Sequence, residues 1–154
     1  TTPEKKIKLL ELLDDIKDPI RKMDLLITAK NFVCPSLFMA DELGKKGGKT
    51  WVYQFNRVRD DRLAQKYGAF HGAELPYVFD THDEWLPTNK TDKVLTREIQ
   101  SYWLSFAKTG DPNNDGAVVW PEYESSNDST LVLDDEIYQR GHESSEICKI
   151  MDLF

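Results

Sequence analysis

Cysteine and histidine are scarce in this sequence, and positive charge is outnumbered by negative. Two cysteines among 154 residues, Cys34 and Cys148, are too few for a disulfide scaffold or a cysteine zinc site. Count alone leaves them as two buried thiols. Twenty basic residues against 27 acidic ones give a net charge of -7, which excludes the basic footprint that nucleic-acid phosphates require. No apolar run approaches the ~20 residues that span a bilayer, and no secretory-leader pattern opens the chain. The histidines number three: His71, His82 and His142. His82 stands beside Asp83 and Glu84, but adjacent side chains do not converge on an ion without a turn to fold them together. No metal and no cofactor are expected.

What is present builds a core. Forty per cent of the chain is hydrophobic, and the length suits one domain. Thr2 caps a first helix with Pro3 at its first position and Leu9, Leu10, Leu13 and Ile16 at helical spacing; Pro19 ends it. A short second helix carries Met23, Leu26 and Ile27. Pro35 opens a third, with Leu37, Phe38 and Leu43, which stops at Gly44 and the KKGGK stretch. TWVYQFN, residues 50–56, reads as a strand apolar on both faces, the pattern of a strand inside a helix-covered sheet. From Asp92 to Lys108, Leu95, Ile99, Tyr102, Trp103 and Phe106 form one helical stripe that Gly110 terminates. Residues 129–134 make a short strand candidate, and the tail is helical near Ile147, Ile150 and Met151.

This inventory leaves a gap, because one buried strand and one short one cannot form the sheet that 50–56 requires. The chain also begins at Thr1 rather than methionine. It is expected to be a piece of a larger domain. Residues 111–122, DPNNDGAVVWPE, match a calcium-loop pattern, with Asp111, Asn113, Asp115, Gly116 and Glu122 at positions 1, 3, 5, 6 and 12. Pro121 and the turn-rich YESSNDST stretch deny that loop an exit helix, so it reads as a polar helix-terminating loop.

GAFHGAELPYVF, residues 68–79, sets His71 between small residues, with Gly68 and Gly72 free to turn sharply and Ala69 and Ala73 leaving room beside the ring. Such loops carry chemistry disproportionately. His82 and His142 read as ordinary satisfied histidines. The 68–79 segment resembles the histidine motif of the type B carboxylesterases, the family that includes the cholinesterases. FVCPSLFMA (32–40), TWVYQFNRV (50–58), SYWLSFAKTGDPN (101–113) and WPEY (120–123) resemble that family's C-terminal blocks in the same order.

The resemblance implies an α/β fold: the C-terminal part of an α/β-hydrolase, helix-rich with a few strands and an incomplete sheet. It implies that His71 is the triad histidine, the general base of ester hydrolysis, and that Glu74 supports it from behind. Glu74 read by itself is a solvated carboxylate at the start of a short helix. Cys34 and Cys148 fall where cholinesterase-like members place a disulfide, which leans the compartment toward periplasmic or secreted. Asp80 departs from the family's usual glycine, putting the shape of the following loop in question. Asn89 and Asn127 sit in glycosylation acceptor patterns.

The triad of this fold runs nucleophile, acid, histidine along the chain, yet no G-x-S-x-G elbow and no HGGG-like segment occurs in the 154 residues. The expected partner is therefore an N-terminal part of the same chain, and the substrate a small-molecule ester. The piece alone is expected to be inactive. Activity resting on an imidazole base falls on acidification, since a protonated ring cannot accept a proton. A non-catalytic adhesion relative is the competing reading, separated from the first by the residue at the missing elbow. A strand stripped of neighbours also invites self-association of the piece.

Overall fold

The computed structural model describes residues 2–152 apart from Asp83, Trp85, Asn127 and His142, so the readings made for His142 and Asn127 lie outside the described residues. The chain divides into two units. One comprises Thr1–Val52, Glu122–Ser129 and Arg140–Phe154; the other comprises Tyr53–Pro121 and Thr130–Gln139.

The first unit is helical. Helix α1 (Pro3–Leu12) starts as expected, the Thr2 hydroxyl accepting from the Lys5 N–H at 3.4 Å, and it buries Leu9. Pro19 proves to be a start rather than a stop. Asp18 caps helix α2 (Pro19–Thr28), which runs through a π-helical turn at Ala29–Val33 into α3 (Cys34–Lys45). Pro35 thus opens no separate helix: the chain is already helical when it arrives. A proline in a helix lacks one N–H and crowds the carbonyl of the preceding turn, and a widened turn is a standard way to absorb both effects. The continuous helix Pro19–Lys45, 27 residues, is long and apolar enough by length and composition to cross a membrane, which the sequence read as two short helices is not.

The core of this unit gathers Ala29, Cys34, Leu37, Ala40, Tyr123 and Cys148, with Val33, Val52 and Ile147 packed against it. Cys148 lies on helix α7 (Glu143–Met151) and is disulfide-bonded to Cys34, with 5.5 Å between their Cα atoms. Lys5 on α1 also pairs with Asp152 just past α7. The Tyr123 hydroxyl lies 3.1 Å from Asp128 Oδ1, and the Tyr123 N–H donates to the Thr50 carbonyl at 2.8 Å.

The second unit holds most of a three-stranded sheet in the order β1 (Val52–Phe55), β2 (Thr130–Leu133), β3 (Tyr138–Arg140). The apolar strand β1 lies at an edge of this sheet, and its Tyr53 is 37% exposed. The centre is β2, all four residues of which are buried. An open edge beside an apolar strand is what the incomplete sheet expected from the sequence leaves. The three-residue β3 was not expected from its polar sequence.

Helix α6 (Lys90–Thr109) follows the expected stripe at Leu95, Ile99 and Tyr102, whereas Phe106 is half exposed. Asn89 and Asp92 form a reciprocal capping box at its start, and Gly110 closes it at φ +78°. The loop after α6 turns its polar groups inward. Asp111 Oδ1 accepts from the Asn113 backbone N–H (2.9 Å) and Nδ2 (2.8 Å), while Asn113 clasps the backbone of Trp120 through its own amide. No helix follows Pro121 before β2 among the described residues. These side chains hold a loop closed.

The disulfide spans 114 residues of sequence, so its loss frees a large loop in the unfolded chain. Reduction should destabilise the protein by about 2–5 kcal/mol. Urea unfolding with and without reductant measures this, and coincident midpoints would contradict it.

Candidate active site

His71 sits on a turn between two short helices, α4 (Arg62–Tyr67) and α5 (Leu75–Phe79). The Asp61 carboxylate caps α4 by accepting from Leu63 N and Ala64 N at 2.9 and 3.0 Å. Gly68 then ends α4 at φ +69°, and Gly72 takes φ +89°, a backbone region that side chains disfavour. The turn is cross-linked by Ala73 N to Phe70 O (2.9 Å) and Leu75 N to Gly72 O (3.2 Å). His71 is exposed, as are Phe70 and Leu75 on either side. The backbone is thus fixed while the imidazole faces outward.

Glu74 stands at the N-cap of α5, as its sequence context suggested. Its backbone carbonyl accepts from Tyr77 N and Val78 N, and its charge adds to burial in pushing the Tyr53 hydroxyl pKa up. Asp80 ends α5 in the left-handed conformation, φ 51° and ψ 41°. That backbone explains why glycine suits the position, and aspartate is among the few other residues that tolerate it. Asp80 also lies 3.6 Å from Lys93 Nζ.

Behind this turn lies a buried ionic cluster. Asp92, 1% exposed, receives Arg57 Nε at 2.8 Å and the Tyr77 hydroxyl at 2.7 Å on Oδ1, and the Asn89 N–H at 2.8 Å on Oδ2. Arg57 also donates to Asp135 Oδ1 and the Val58 carbonyl, both at 2.8 Å. Arg59 reaches Pro87 O and Thr88 Oγ1, and its guanidinium sits 4.7 Å from the centre of the Tyr77 ring. Burial pushes the Asp92 carboxyl up, but Arg57, the Asn89 N–H and Tyr77 together hold it below the usual carboxylate range. Burial, and then the Asp92 bond, push the Tyr77 hydroxyl up, so it stays a proton donor.

His82 belongs to the same cluster. Its side chain is 1% exposed, with Nδ1 3.1 Å from Arg59 Nη2 and Nε2 2.7 Å from Thr96 Oγ1. The Thr96 hydroxyl donates to the Asp92 carbonyl at 2.7 Å, so its oxygen must accept from His82. This fixes the neutral tautomer with hydrogen on Nε2 and Nδ1 accepting from Arg59. The plain reading of His82 from sequence thus agrees with the structure. The sequence reading missed Arg57, Arg59, Tyr77 and Asp92. The one signal for them was the N-x-x-D pattern at 89–92, which places an acid where a helix start turns inward.

Burial comes first, then the cations Lys93 and Arg59, in holding the His82 pKa below the ordinary imidazole value. The unfolded chain takes up this proton below pH ~6.5 while the folded chain refuses it. Stability present above that pH is therefore lost as pH falls from ~6.5 toward the folded value. Urea midpoints between pH 7.5 and 5 should decline, and His82→Gln should flatten that decline. An equal slope in the variant would overturn the assignment.

Comparison with known proteins places the chain in a family. A model of the carboxylesterase family matches residues 7–150. The chain is 31% identical over 149 residues to the acetylcholinesterase of Gallus gallus, covering 91% of this chain and 19% of that protein. It is 40% identical over 101 residues to the para-nitrobenzyl esterase of Bacillus subtilis (strain 168), covering 62% and 20%. A solved thermophilic PNB esterase superposes with a TM-score of 0.75 at 31% identity, over 96% of this chain and 30% of that one. A Geobacillus stearothermophilus carboxylesterase shares the fold with a TM-score of 0.79. The chain spans about a fifth of the length of these curated relatives. The architecture is therefore that of part of an α/β-hydrolase, helix-rich with a small sheet, and this chain belongs to the carboxylesterase family.

Proposed function

We propose that this chain supplies the histidine base of a carboxylic ester hydrolase, and that the serine nucleophile and the triad acid lie on an N-terminal part of the same polypeptide. The observation that carries this reading is the exposed imidazole of His71 on a cross-linked turn, within a segment that resembles the family's histidine motif. In the whole enzyme the serine hydroxyl attacks the ester carbonyl as His71 takes its proton, and His71 returns that proton to the leaving alcohol. An acyl-enzyme results. His71 then takes a proton from water, which attacks the acyl carbon; the bond to the serine oxygen breaks, His71 returns the proton to that oxygen, and the acid is released. Glu74, at the start of α5, supports the turn from behind. No cofactor takes part.

The substrate class is a small ester, in keeping with the para-nitrobenzyl esterase and acetylcholinesterase relatives. In the full-length protein, His71→Ala should lower turnover of a p-nitrophenyl acyl ester on the order of a million-fold. The 154-residue chain alone should show no turnover. Activity retained in the His71→Ala enzyme would overturn the base assignment, and absence of activity in the unaltered full-length protein across several acyl lengths would favour a non-catalytic adhesion relative.

The Cys34–Cys148 bond supports an oxidising compartment, periplasmic or secreted, because cytosolic thiols are kept reduced. Alkylation of freshly extracted protein under denaturing conditions should find both cysteines protected. Two reactive thiols would place the protein elsewhere.

A further inference from the structure

We propose that Tyr77 and Asp92 form a positioning pair that sets where the His71 turn sits; the inference rests on the reading of His71 as the base. His71 precedes Tyr77 by six residues, and the backbone between them is hydrogen-bonded throughout, through Ala73 N to Phe70 O, Leu75 N to Gly72 O and Tyr77 N to Glu74 O. Any shift of α5 is therefore passed to the turn. Helix α5 has only five residues, too few to be stable by itself, so tertiary contacts must locate it.

Those contacts converge on one side chain. Leu75 and Phe79 are exposed, while Tyr77 is 1% exposed. Its ring packs 5.0 Å from Phe55 and 5.2 Å from His82, centre to centre, and its hydroxyl meets Asp92 Oδ1 at 2.7 Å. Among the described residues two further polar contacts join this segment to α6, and both are weaker: Gln100 Nε2 to the Val78 carbonyl at 3.5 Å, the limit of a hydrogen bond, and the exposed pair Asp80–Lys93 at 3.6 Å. Asp92 makes a firm anchor because Arg57 and the α6 capping box hold its two oxygens in place. Reactions that depend on near-attack geometry lose about 10²-fold in rate for a misplacement of ~1 Å. The phenol-to-carboxylate bond is the contact that keeps α5 within that tolerance.

The test uses the full-length enzyme with a p-nitrophenyl ester, and turnover is referred to active sites counted by an organophosphate titrant. Tyr77→Phe keeps the ring and removes the hydroxyl; Asp92→Asn keeps the volume and removes the charge. Each should lower kcat about tenfold or more while KM stays within twofold. Tyr123→Phe, which removes the hydroxyl facing Asp128 in the other unit, serves as a control for lost stability and should leave kcat unchanged. Unchanged kcat in the folded Tyr77→Phe and Asp92→Asn enzymes would overturn the pair, as would an equal loss in Tyr123→Phe. His71→Ala separates the two claims. If it abolishes turnover while Tyr77→Phe does not slow it, positioning alone fails; if it retains turnover, the base assignment fails.

Discussion

The carboxylate of Asp92 accepts from Arg57, from Tyr77 and from the backbone of Asn89, and each donor comes from a different element. Arg57 follows the edge strand, Tyr77 belongs to the short helix beyond the histidine turn, and Asn89 caps the longest helix of the unit. A buried carboxylate without partners costs several kcal/mol, and removing one partner of a buried pair typically costs about 3–5 kcal/mol. The three donors must therefore arrive together or the unit does not close. The arrangement gains specificity more than net stability, since the attraction largely offsets the desolvation of both charges.

From that constraint the character of the histidine turn follows. Helices α4 and α5 are too short to hold themselves, and their exposed Leu63, Leu75 and Phe79, like Phe70 on the turn between them, add little burial. Order in this segment comes from backbone bonds, from two glycines in the left-handed region and from the anchored Tyr77. The result is a backbone held in place around the exposed residue His71. His82, by contrast with the exposed His71, is buried with both ring nitrogens engaged, so it holds structure.

Local signals were read correctly wherever the neighbours in sequence supply the partners. The Thr2 cap with Pro3, the stripe and Gly110 stop of α6, and the polar turn after Gly110 all depend on residues within a few positions of one another. The family was legible by resemblance, and the family match over residues 7–150 shows it. Misreadings arose where a distant partner decides. Pro35 looked like a helix start because proline is tolerated there, yet a π-helical turn carried the helix through it. The modest-looking Thr130–Leu133 is fully buried between two neighbours, a central place its short sequence did not signal.

What the sequence by itself determined is the capped start of α1, the stripe and glycine stop of α6, and the family to which the His71 segment belongs. The helix features follow from short-range hydrogen bonding and steric limits on the backbone. Only the tertiary structure decided which strand is central, that Cys34 meets Cys148, and that Asp92 gathers Arg57 and Tyr77. Those outcomes depend on which charges and edges find partners dozens of residues away, and a buried charge carries no mark in the sequence until its counter-charge is placed beside it.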